Sequence, residues 1–246
     1  MKPQFVHPLN KSRTDNDRII VNCGVGNHYP PLSRKVKGRC AEHEPDTWQL
    51  FYIECLPDGC PEHDKQQYAF KIFACEEAVK AGFRYLLWMD CTFHPVAPIT
   101  PIWNKIEEQG WWVPGQGDSV LGHWASDAAL EIYGISREEA LKIRLVFSGL
   151  VGLDLHNPLG KAIWEDWKDL YQKGAFNGPH YNKPNEAFKP MGNKFDGHVS
   201  SNPAVQGHRH DESALAFILH KHGQVPSFDG FLSLEMRDGY VIKHGF

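Results

Sequence analysis

No run of about 18 apolar residues occurs anywhere in this chain of 246, which argues against a membrane-spanning helix. The opening stretch, MKPQFVHPLNKSRTDNDR, lacks the apolar core of a secretory leader. A soluble, cytoplasmic protein is therefore expected. Excess positive charge is missing as well: 26 Lys and Arg stand against 30 Asp and Glu, for a formal net charge of −4. That speaks against a uniformly basic nucleic-acid binder and leaves only a local basic groove open. Cysteine is sparse, at 6 residues, and without a leader these read as reduced thiols and not as a disulfide framework. Internal repeats, low-complexity tracts and linkers are absent too. What is present is apolar content, 41% hydrophobic and 12% aromatic, enough for one large core in a single domain over residues 1–246.

The apolar residues fall into short runs. RIIVNC (18–23) and DTWQLFYIEC (46–55) read as strands closed by GVGNHYPP and LPDGCP, and DKQQYAFKIFACEEAVKAG (64–82) carries apolar residues at helical spacing. That helix leads into YLLWMDCTFHP (85–95), a buried strand that stops at proline. Strand, strand, helix, strand predicts an α/β protein with a mainly parallel sheet flanked by helices. ITPIWNKIEEQG (99–110), SDAALEIYG, SREEALKI, PLGKAIWEDWKDLYQKG and DESALAFILHKHG read as further helices, with Ser136 and Glu139 in a capping box. LVFSGLVGLDL (145–155) reads as one strand with an internal glycine pair. Periodicity vanishes from 175 to 206, a loop long enough to cover a site as a lid.

Asp90 then falls at the carboxyl end of a strand, where open parallel sheets bind ligands, in one crevice with the loop after Cys23. A carboxylate there can hold a divalent cation, which in turn neutralises a diphosphate. Lys71 and the pair Arg34 and Lys35 are candidates to meet phosphate by charge, and for Arg by bidentate geometry. Among the aromatics of GWWVPGQGDSVLGHWASD, Trp111, Trp112 and Trp124 can stack on a sugar, Trp124 being the most exposed candidate, and Asp127 can accept from an acceptor hydroxyl.

YAFKIFACEEAVKAGFRYLLWMDCTFHPVAPITPIW, FSGLVGLDLHNP and GHRHDESALAFILHKHG together resemble the layout of GT-A-fold glycosyltransferases, over most of residues 19–223. The resemblance implies a GT-A-like (Rossmann-like) domain with a nucleotide-binding half near 17–95 and a donor-sugar and acceptor half near 96–246. It implies a nucleoside-diphosphate sugar as donor and Mn²⁺ or Mg²⁺ as cofactor. Asn22, Gly24 and Tyr29 would cradle the nucleotide, Asp90 the diphosphate through the cation, and Ser148 and Gly149 the sugar. Asp211 would be a base or orient the donor. Thr92 stands where a second Asp is common, so a histidine, His208 or His210, would complete the cation site unless basic side chains replace it. The acceptor would be a glycan, a small molecule or a hydroxylated DNA base.

Two other classes fit the sequence. One is a non-catalytic nucleotide-sugar or glycan-binding module. The other is a zinc-stabilised, nucleic-acid-associated protein, using Cys40, His43, Cys55, Cys60 and His63.

Overall fold

The structure is a computed structural model and describes residues 5–6, 17–181, 198–233 and 241–244. In chain order the elements are β1 (Phe5–Val6), β2 (Arg18–Gly24), α1 (Tyr29–His43), β3 (Trp48–Ile53), α2 (Ala69–Lys80), β4 (Tyr85–Met89), β5 (Phe93–Pro95) and α3 (Thr100–Gln109). They continue with β6 (Trp111–Trp112), β7 (Gly115–Val120), α4 (Leu121–Trp124), α5 (Asp127–Tyr133), α6 (Arg137–Ala140), β8 (Arg144–Val146) and β9 (Leu150–Asp154). The last four are α7 (Pro158–Gln172), α8 (His210–Lys221), β10 (Leu232–Ser233) and β11 (Ile242–His244).

The expected α/β architecture is present: a central sheet in the order β1-β3-β2-β4-β9-β6, with helices on both faces. Period-2 alternation sorts the strand residues. Ile19, Val21, Leu86, Trp88, Val151 and Leu153 pack with Ile72, Cys75, Trp164, Trp167, Leu215 and Ile218 from α2, α7 and α8. Ile20, Leu87, Met89 and Leu150 face the other way, onto Val36 and Cys40 of α1 and Ile102, Trp103 and Ile106 of α3. Both faces are covered, so β2, β3, β4 and β9 are buried nearly throughout.

The sheet is mixed, which corrects the expectation of a mainly parallel one. Only β3, β2 and β4 run parallel; β1 on β3, β9 on β4 and β6 on β9 are antiparallel. The cause lies in the 145–155 run, which is two strands. The chain leaves β8, turns through Phe147–Gly149 and enters β9 beside the carboxyl end of β4, Leu150 opposite Met89. Asp90 N–H donates to Gly149 O at 2.8 Å and fixes that entry. The reversal carries Ser148 to Asp90.

Trp111 and Trp112 are buried core residues, not sugar platforms. Cys40 is buried on the α1 face, while Cys55 and Cys60 pack against the opposite core, so the proposed zinc constellation does not assemble. All six cysteines are free, and among the described residues no three His, Cys, Asp or Glu side chains converge as a metal site. No helix among the described residues is long and apolar enough to cross a membrane.

Candidate functional site

Lys71 lies in the first turn of α2, where the helix dipole disfavours a cation by about 0.3–1 kcal/mol. Its side chain is only 1% exposed and runs to the carboxyl end of β4. There the ammonium meets oxygens from three other segments: Asp211 Oδ2 at 2.8 Å, Ser148 O at 3.0 Å and Asp90 Oδ2 at 3.1 Å, with Ser148 Oγ at 3.4 Å. The Tyr68 and Trp88 rings flank it at 5.4 and 5.7 Å. Burial alone would discharge the amine; Asp211 and Asp90 outweigh that and hold its pKa above the ordinary lysine value.

The three charged groups differ in access. Asp211 is 2% exposed, whereas Asp90 keeps 26% of its side-chain surface accessible. Asp90 Oδ1 accepts from Trp88 Nε1 at 3.2 Å, both residues lying on the α2 face of the sheet. Asp90 is pushed above the ordinary carboxylate pKa by desolvation, against Lys71 and with Asp211 adding to the shift. Desolvation and partial access coexist because Lys71, Trp88 and the Gly149 backbone close three sides and leave one edge open. Tyr29, at the start of α1, stands 47% exposed near that edge; burial first, then Asp90, raises its hydroxyl pKa.

Asn22, Gly24 and Gly149 surround Asp90 as supports. Asn22 is fully buried; its amide donates to Met89 O at 2.6 Å and its oxygen accepts from Ser33 Oγ, so it ties β2 to β4 and α1 and presents nothing to a nucleotide. A Cβ on Gly24 would lie 2.5 Å from the Ser33 Cβ, and one on Gly149 would lie 2.2 Å from the Phe93 ring. Close packing accounts for both glycines.

The expected cation ligands do not fit a metal. His208 Nε2 is 3.0 Å from Ala175 O and its Nδ1 accepts from Ser126 N–H at 3.4 Å. His210 Nδ1 donates to Phe176 O at 2.7 Å, which leaves Nε2 as the acceptor from His180 Nδ1 at 2.9 Å. Both rings are thus committed to packing α8 on the end of α7, and neither offers a lone pair to Asp90. Burial holds His180 and His208 down to about 4 and also lowers His210 well below the ordinary histidine value. A metal joining Asp90 to Asp211 would also sit beside the ammonium. Two unit charges 4 Å apart repel by about 4 kcal/mol at an effective dielectric of about 20, and a divalent ion would feel about twice that.

Two residues leading into the site hold non-glycine left-handed backbone, Tyr68 at φ 55° and His210 at φ 46°, and their rings pack at 5.5 Å. Such conformations cost about 1 kcal/mol or more each and persist where packing over-determines them. Here they aim the first turns of α2 and α8, and so Lys71 and Asp211, at one another.

Other candidates are held elsewhere. Arg34 forms an exposed ion pair with Glu54. Trp124 is half-buried beneath the Arg209 guanidinium, 4.5 Å from its ring. Asp127 accepts from Arg137 Nη2 at 2.6 Å and Ser200 Oγ at 2.7 Å. The two ends of the 175–206 loop are packed, with Ala175, Phe176, Val199 and Val205 buried; the rest of the expected lid, 182–197, lies outside the described residues. Sequence reasoning missed Trp88, although strand alternation places it on the face of Asp90. It also missed Tyr68 and Glu212, whose carboxyl burial pushes up to about 8. Lys35, which the sequence offered with Arg34 as a candidate to meet phosphate, lies instead with Arg39 of α1 and with Lys243, which pairs in register with His94, and the three add to burial in holding that imidazole down to about 4.

No family model and no curated protein sequence matches this chain. Among solved structures, it is similar to a glycosyltransferase involved in glycosylation of the major capsid of PBCV-1, at 10% identity over 92% of this chain and 94% of that one, TM-score 0.42. It is similar to the galactosyltransferase LgtC in complex with donor and acceptor sugar analogues, at 12% identity over 92% and 86%, TM-score 0.43. A third is mouse xyloside xylosyltransferase 1 in its apo form, at 13% identity over 92% and 84%, TM-score 0.41.

Proposed function

We propose that this protein is a glycosyltransferase that moves a sugar from a nucleoside-diphosphate sugar to a hydroxyl acceptor, whether a glycan, a small molecule or a hydroxylated DNA base. The observation that carries the reading is the Lys71, Asp90, Ser148 and Asp211 cluster, drawn from four distant segments to the carboxyl end of β4, where parallel strands open a crevice. Asp90 is the group in contact with substrate, since it alone of the three charged members is partly accessible. The anomeric carbon loses the diphosphate oxygen, which leaves with the bonding electron pair, and gains the acceptor oxygen. Asp90 takes the hydroxyl proton, a role suited to a carboxylate whose pKa is raised. Lys71 positions Asp90, and Asp211 acts through Lys71, which revises its expected role as base. Lys35, Arg39 and Lys243, gathered around His94, supply positive charge toward the departing diphosphate.

One observation favours a non-catalytic nucleotide-sugar-binding module instead: Lys71 and Asp211 are spent on each other, as an internal structural pair would be. Incubation with a panel of nucleoside-diphosphate sugars separates the two. The enzyme reading expects diphosphate release from at least one donor, by transfer or hydrolysis, and a fall in kcat of about 100-fold or more in Asp90→Asn. Thermal stabilisation by a donor that is never turned over would establish the binding module, and no response to any donor would remove both.

A further inference from the structure

We infer that Lys71 takes the place a divalent cation would hold in this site, so that the donor is bound without Mn²⁺ or Mg²⁺. The inference rests on the nucleotide-sugar reading above and specifies that its donor needs no divalent metal. The ammonium donates to Ser148 O at 3.0 Å and Asp90 Oδ2 at 3.1 Å, and forms an ion pair with Asp211 Oδ2 at 2.8 Å. Those are distances of N–H···O contacts and not the roughly 2.0–2.6 Å of metal–oxygen bonds. The flanking walls, Tyr68 and Trp88, present rings that suit an organic cation.

The ammonium is not free to withdraw. Lys71 is 1% exposed and its helix is packed on the sheet through Ile72, Ala74, Cys75 and Ala78, so a metal could enter between the carboxylates only by unseating α2. Among the described residues no three His, Cys, Asp or Glu side chains converge to take its place. Thr92 supplies no carboxylate, and the nitrogens of His208 and His210 are committed to Ala175, Phe176, Ser126 and His180. One ammonium therefore does the bridging between Asp90 and Asp211.

Electron paramagnetic resonance of Mn²⁺ tests this without any turnover. Wild-type protein should leave the free Mn²⁺ signal undiminished, whereas Lys71→Ala, with both carboxylates released, should bind one Mn²⁺ at least about tenfold more tightly than wild type. Stoichiometric Mn²⁺ uptake by wild-type protein, unchanged in Lys71→Ala, would overturn the inference. If Lys71→Ala does not fold, the wild-type titration decides alone. In a second measurement, the thermal shift given by uridine and guanosine diphosphates should be the same with and without EDTA, and a shift that EDTA abolishes would also overturn it. Absence of any nucleotide shift removes the donor reading, while the Mn²⁺ titration still decides whether Lys71 fills the cation's place.

Discussion

Lys71 was legible as a lysine on a helix held against a sheet, but its sequence neighbours did not say that it points inward. Its meaning comes from Asp211, 140 positions away in the chain, and from the turn after β8. The burial of its two carboxylate partners makes a prediction. Asp211→Asn keeps the volume but removes the charge nearest a fully buried ammonium, and should destabilise the protein by about 1–3 kcal/mol. Asp90→Asn, at the accessible edge, should cost less. The midpoints of urea unfolding, at unchanged m-value, check the order. A larger loss from Asp90→Asn would mean that the ammonium is held chiefly from the crevice side, and the assignment of Asp211 as its anchor would fall.

At the level of elements, caps and strands were readable because their signals are local. Ser126 caps α5, accepting from Ala129 N at 3.0 Å, and the Ser136 and Glu139 capping box at α6 is formed. α1 escaped notice because YPPLSRKVKGRCAEH buries only a narrow stripe of Pro30, Ser33, Val36 and Cys40 among charged residues. Its one strong signal was the proline pair at the first turn. The far end of α1 carries the group that sets its position. Glu44 is buried and accepts from Ile99 N at 2.8 Å, Thr47 Oγ1 at 2.9 Å and Trp103 Nε1 at 3.0 Å, so it joins α1 to the start of α3. Glu44→Ala would strand buried donors and should destabilise by about 2–4 kcal/mol. Hydrogen exchange should show the loss of protection spreading through both α1 and α3; a loss confined to α1 would show that Glu44 is only a cap. A second case is Gly160, where a Cβ would lie 2.3 Å from the carbonyl oxygens of both Gly110 and Asp154, so α7 approaches backbone that cannot yield.

Across the whole molecule, the histidine cluster couples stability to pH. His180, His208 and His210 are neutral in the folded protein, with pKa values lowered to about 4 for the first two, whereas the unfolded chain protonates histidine near 6.5. Between those values the unfolded state binds more protons, so stability is complete above about 6.5 and falls as pH falls toward 4. For fully buried His208 the whole window is worth about 3 kcal/mol, at about 1.4 kcal/mol per pH unit. Asp154 contributes in a separate window: burial opposes its ionisation, but Arg84 and the backbone N–H groups of His156 and Asn157 together outweigh burial and lower its pKa, so its contribution is lost only at still more acid pH. The thermal midpoint should therefore drop steeply between about pH 6.5 and 5, and a midpoint that stays level there would mean the cluster accepts protons in place. What the sequence determined alone is the set of elements whose signals are local: apolar runs, caps, proline and glycine stops, and Asp90 at a strand end. Tertiary structure decided the direction of β9, the confinement of Trp111 and Trp112 to the core, and the commitment of His208 and His210 to backbone carbonyls. It also decided the meeting of Lys71, Asp90, Ser148 and Asp211. Periodicity reports which face of an element is apolar, but not which distant face it meets, and a charged residue buried by its partners is spelled like one in solvent.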